Sequence, residues 1–231
     1  MSIARWERRA LADLMSELGP EAPTLCAGWD TRALAAHLVV RERRPDTTAG
    51  VAVSALAGWT ERVRKQYERR PYADLVRLVR TGPGWLSPLS LPGLDGIVNT
   101  TEFAVHHEDV RRAQPGWTPR ELPGTVQDAL WKTVRTVAPM SLRSLQVGVV
   151  LRRPDSPRST SSTDSTDAAQ TAPAGRTRSV ITVKDAEPSV TITGEPMEVL
   201  LFLFGRRDHA LVEITGDAQA CAELTAAPLK A

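Results

Sequence analysis

Helical periodicity fills the first 140 residues and stops there, and this break constrains the fold more than any other feature. Ile3, Trp6, Ala10, Leu11, Leu14 and Leu18 recur near 3.6-residue spacing, which predicts an amphipathic helix ended by Gly19-Pro20. After the loop 20–29, Asp30 or Thr31 caps a second helix that runs to about Arg44, where Pro45 ends it. A third stretch covers Ala55 to Arg69. Tyr72 to Arg80 continues helically, with Pro71 expected at the first helical position. Residues 81–93, with Gly82, Pro83, Gly84, Pro88, Pro92 and Gly93, read as a loop. A long helix is expected from Leu94 to Ala113, and another from Gly124 to Val137, ending before Pro139. With one wet face each, these helices predict an antiparallel four-helix bundle over residues 1–140.

The pattern changes after Met140. Ser144–Leu151, Val180–Val183, Val190–Thr193 and Leu211–Thr215 are β-rich. Lys184-Asp185-Ala186-Glu187-Pro188 is a turn signal, and Glu195–Phe204 and Asp217–Ala226 read as helices, the first with Pro196 at its start. Residues 154–177 hold almost no large apolar side chain. Such a segment buries too little to offset its ordering entropy and is expected to be a flexible insertion or a long hairpin loop. The expectation is therefore an α+β chain: a helical bundle over 1–140, then a small α/β domain over 141–231.

Composition excludes several classes. With 29 Lys and Arg against 27 Asp and Glu, the net charge of +2 is too small for a nucleic-acid-binding surface. Apolar runs such as Val199–Phe204 are too short to span a membrane. The N-terminus lacks the apolar stretch of a signal peptide, so a cytoplasmic protein is expected. Cys26 and Cys221 form neither a disulfide framework nor a C-x-x-C site, which agrees with a reducing compartment.

Only four histidines occur, and two fall where a plain helix would carry an aliphatic residue. At about 100° per residue, Glu102, His106 and Asp109 share the core-facing side of the helix Leu94–Ala113, while His107 and Arg111 point the other way. On the second helix, His37 shares its face with Ala33, Leu34, Val40 and Arg41, whereas Arg32, Glu42 and Arg43 face away. A carboxylate removed from water is costly unless paired or coordinated. His37, Glu102 and His106 make a two-His, one-carboxylate set with a coordination position left for water or substrate, a catalytic rather than structural zinc pattern that nickel, iron or manganese also accept. Lewis-acid activation is the expected chemistry, with a coordinated thiol deprotonated near neutral pH. Asp109 is either an acceptor for a ligand imidazole or an exposed partner of Arg112 or Arg41. His107 reads as a solvated surface residue, and His209 as part of the polar turn Arg206-Arg207-Asp208-His209. Arg41, Arg206 and Arg207 are either solvated surface or contacts for an anionic substrate or thiol.

At Leu25-Cys26-Ala27-Gly28-Trp29-Asp30-Thr31-Arg32-Ala33-Leu34-Ala35-Ala36-His37-Leu38 and Asn99-Thr100-Thr101-Glu102-Phe103-Ala104-Val105-His106-His107-Glu108-Asp109-Val110-Arg111 the chain resembles the actinobacterial metal-binding proteins of the mycothiol-dependent maleylpyruvate isomerase type, within the DinB-like superfamily. Val190–Arg206 resembles the sterol-carrier-like domain often attached to those bundles. The resemblance implies a DinB-like bundle with a divalent metal, zinc, on His37, Glu102 and His106, and mycothiol as a thiol cosubstrate. It further implies an isomerase or S-transferase acting on an electrophilic small molecule, as a monomer or homodimer. The stretch Val39–Asp46 departs from the isomerase pattern, so the resemblance does not carry that enzyme's substrate.

Overall fold

The computed structural model describes residues 2–44, 46, 57–83, 97–154 and 179–229. The loop expected at 81–93 and the polar insertion expected at 154–177 lie outside the described residues, apart from residues 81–83 and 154. The chain is of mixed helix and sheet, α+β, and divides into two compact units at Glu121/Leu122.

The N-terminal unit is helical: α1 (Ile3–Leu18), α2 (Thr31–Arg43), α3 (Ala57–Glu68), α4 (Tyr72–Thr81) and α5 (Ile97–Arg112). Caps set the first two starts, as Ser2 accepts from the backbone N–H of Arg5 and Asp30 from that of Ala33 at 2.8 Å. Pro71 occupies the cap position before α4, with extended backbone, one residue earlier than the sequence suggests. Leu11, Met15, Leu34, Leu38, Leu75, Val79, Phe103 and Val110 close the core between α1, α2, α4 and α5. Each large aliphatic side chain fully buried there stabilises by about 1.5–3 kcal/mol.

Charged residues occupy positions the periodicity assigned to water. The buried stripe of α1 is Ala4, Glu7, Arg8, Leu11, Ala12 and Met15, while Trp6 is 38% exposed. Glu42, expected to face away, is 1% exposed and takes both terminal guanidinium nitrogens of Arg8. His107, expected on the surface, is buried with Nδ1 2.6 Å from Glu7 Oε2. Arg120 reaches both Glu7 and Glu108, and Glu108 also holds Arg112 and Arg111. Among Phe103–Arg112 only His106 and Arg111 are not buried, so α5 runs through the middle of its unit. A wheel that seeks one wet face misreads such a helix, because its polar residues are satisfied by partners that only folding supplies.

The second unit begins with α6 (Gly124–Ser141), which packs on residues of its own unit. The boundary expected at residue 140 falls instead before this helix, whose contacts include the helix Pro196–Leu203 and the strand Val180–Lys184 of its own unit. The helix also continues through Pro139, because a proline in the last turn forfeits a single hydrogen bond near an end that Leu142 N–H to Ala138 O closes. The sheet comprises β1 (Gly148–Arg152), β2 (Val180–Lys184), β3 (Ser189–Thr193) and β4 (Glu213–Gly216), in the order β2-β1-β3-β4. β1 and β3 are parallel, placing Val149 beside Val190 and Leu151 beside Ile192; these four side chains are buried. Alternation along β3 buries Val190 and Ile192 between partly exposed Ser189, Thr191 and Thr193. Gly148 allows a close approach, since a Cβ there would collide with the Ala186 carbonyl. Helix α7 (Pro196–Leu203) is buried at all eight positions, and α8 (Ala218–Ala226) packs on β3 and β4. Arg207 bonds the carbonyls of Leu224, Thr225 and Ala227 at the end of α8, which gives it a structural task. No helix among the described residues is long and apolar enough to cross a membrane.

Candidate metal centre

Helix α2 presents His37, and α5 presents Glu102 and His106 one turn apart. The three converge inside the N-terminal unit. His37 Nε2 lies 3.1 Å from Glu102 Oε1, and His106 Nε2 lies 3.4 Å from the same oxygen. One donor atom from each residue falls within 4.8 Å of the others. Zinc bonds of about 2.0–2.1 Å in a tetrahedron place neighbouring donors about 3.3 Å apart, close to the two Glu102–imidazole distances, and imidazole and carboxylate are donors that a divalent metal accepts. Exposure falls from 30% at His37 through 22% at Glu102 to 12% at His106, so the cluster opens to solvent at the His37 side.

The surroundings orient the donors. His106 Nδ1 lies 2.8 Å from Oδ2 of Asp109, a residue with no exposed surface. With Nδ1 engaged by that carboxylate, the ring is turned so that Nε2 faces Glu102. Asp109 is thus an imidazole acceptor, and the exposed-partner alternative does not hold. Arg41 Nε sits 3.4 Å from Glu102 Oε1, and its Nη1 donates to Asn99 Oδ1 at 2.8 Å. Burial alone would raise the Glu102 carboxyl, but hydrogen bonds from His106 and His37 and the Arg41 charge outweigh it and hold it well below the usual carboxylate range. Burial likewise opposes protonation of His106, yet Asp109, Cys26 and Glu102 together hold it well above an ordinary imidazole. The Trp29 ring walls one side, 5.0 Å from the His37 ring, with the Arg64 guanidinium 4.9 Å over the indole.

One neighbour, Cys26, is not identifiable from spacing along the chain. Its Sγ lies 3.6 Å from His106 Nδ1 and donates to Asp109 Oδ2 at 3.2 Å. A second overlapping donor group results, Cys26 with His106 and Asp109. Its signal was positional: Cys26 stands in the loop that leads into the helix carrying His37. Trp29 lies in that same loop. His209 and Arg206 belong to the C-terminal unit. Comparison of the chain with protein-family models, with curated proteins and with solved structures finds no match.

Proposed function

We propose that the chain binds a divalent metal ion, zinc, through His37 Nε2, Glu102 Oε1 and His106 Nε2. With it the protein acts in the cytoplasm as a thiol-dependent isomerase or S-transferase on an electrophilic small molecule. One observation carries this reading: three donors from two helices meet at ligand spacing, with the remaining nitrogen of His106 engaged by a buried carboxylate. The likeness of Leu25–Leu38 and Asn99–Arg111 to the DinB-like, maleylpyruvate isomerase-type proteins points to the thiol, mycothiol in that family, and Val190–Arg206 to a sterol-carrier-like second domain. A divalent ion held there supplies Lewis-acid activation of a thiol or water.

The chain's own residues set the conditions. Asp109 holds the His106 ring in place, and Arg41 stands beside the Glu102 carboxylate that lies between the imidazoles. His37 stands at the wetter edge, where a small molecule enters, and Trp29 gives that entrance an apolar side.

Elemental analysis and zinc titration of the purified protein test the site. One equivalent is expected, abolished in His37→Ala and His106→Ala. Stoichiometry unchanged by either substitution refutes the ligand set. Turnover of electrophilic substrates with mycothiol in the zinc-loaded protein tests the chemistry. Zinc binding without turnover would favour a non-catalytic metal-binding module.

A further inference from the structure

Cys26 stands outside the three-ligand set, yet its thiol lies against the group that orients one ligand. Asp109 is sealed from water, and its Oδ2 meets two donors, His106 Nδ1 at 2.8 Å and Cys26 Sγ at 3.2 Å. The backbone that carries the sulfur is tied in place. Leu25 N–H donates to the carbonyl of Asp109 itself at 3.0 Å, and Trp29 N–H donates to the Cys26 carbonyl at 2.9 Å. Thr24 Oγ1 accepts from Cys26 N–H at 3.2 Å and donates to the Trp29 carbonyl at 2.7 Å. Gly28, at φ +76°, takes the third position of this turn, a conformation glycine adopts without strain. The loop before α2 is therefore docked on Asp109 through both its main chain and its side chain.

We propose that Cys26 is a positioning residue for the metal centre: its thiol pins the Asp109 carboxylate, which in turn holds the His106 ring with Nε2 toward the ion. A carboxylate is free to swivel about its last torsion, and a second donor on one oxygen selects the orientation that faces His106. Removing that donor relaxes the orientation of the carboxylate and loosens the ring. Partners of this kind typically change metal affinity 10- to 100-fold, and for a thiol donor we expect the lower end, roughly tenfold. The inference rests on reading His37, Glu102 and His106 as the ligands.

The experiment measures zinc dissociation constants by competition with a fluorescent chelator for the wild type, Cys26→Ala, Cys26→Ser, Cys221→Ala and His37→Ala, with a melting curve for each. Cys26→Ala is expected to bind zinc about tenfold more weakly. Cys26→Ser, whose hydroxyl still donates, should recover most of that loss, and Cys221→Ala should match the wild type. Should Cys26→Ala not fold, Cys26→Val, which lacks the donor but fills the space, takes its place. Wild-type affinity in Cys26→Ala, or equal weakening in the serine and alanine variants, overturns the positioning role while loss of zinc in His37→Ala keeps the ligand set. No zinc bound by the wild type, or undiminished binding in His37→Ala, overturns the ligand reading and this inference with it.

Discussion

Removing Glu42 alone should cost far more than removing Glu42 and Arg8 together. Glu42 on α2 and Arg8 on α1 have side chains 1% and 6% exposed. Both terminal nitrogens of the guanidinium bond the carboxylate, Nη1 also reaches the Val79 carbonyl at 3.3 Å, and the guanidinium carbon stands 4.1 Å from the Phe103 ring centre. Glu42→Ala leaves a buried cation with one carbonyl and one aromatic face in place of its counter-ion. Breaking a buried pair from one side costs about 3–5 kcal/mol. For a unit of this size each kcal/mol moves Tm by about 3–5 °C, so the helical unit's transition should fall by about 9–25 °C. Replacing the pair by apolar side chains of similar volume, Arg8→Met with Glu42→Leu, should return stability to within about 1–2 kcal/mol of the wild type, since neither desolvation penalty then remains. Thermal and urea unfolding of Arg8→Met, Glu42→Leu and the double variant yield the coupling energy. A loss below about 1 kcal/mol in Glu42→Ala, the scale of an exposed pair, would show that the charges are hydrated and that this account of the α1–α2 contact is wrong.

Two further outcomes follow from the buried polar groups of α5. His107→Ala should lower stability by about 1–3 kcal/mol, because Glu7 loses a buried partner, yet leave zinc affinity unchanged; a parallel loss of zinc would mean that His107, not His106, serves the centre. Burial works to raise the Glu108 carboxyl, but the charges of Arg120, Arg112 and Arg111 and the Arg112 hydrogen bond hold it below its ordinary value. A group depressed in the folded state contributes stability that is present above the unfolded pKa, about 4.3, and is lost as pH falls through the lower folded value. The stability gap between wild type and Glu108→Gln should therefore be widest near neutral pH and close on acidification below about pH 4.3; a gap constant from pH 7 to pH 3 would contradict the assignment.

Much of this protein can be read from residue order alone, for local reasons. The start of α1 and of α2, the first position of α7 at Pro196 and the cap at Asp217 follow from short-range capping chemistry. The alternation of Val190 and Ile192 announces a half-buried strand, and the shared faces of α2 and α5 group His37, Glu102 and His106. Tertiary structure decided which interior positions charged residues take. Glu7, Glu42, His107 and Glu108 look hydrated in sequence because burial of a charge depends on a partner, and their partners lie between 3 and 113 residues away. Each has at least one partner 12 or more residues away, and residue spacing along one helix carries no information about such a distant counter-ion. The same holds for Cys26, 83 residues from Asp109, and for α6, whose apolar face suits either a bundle or a sheet-bearing unit until one is folded against it. Periodicity assigns a face, whereas only the packed chain assigns what that face meets.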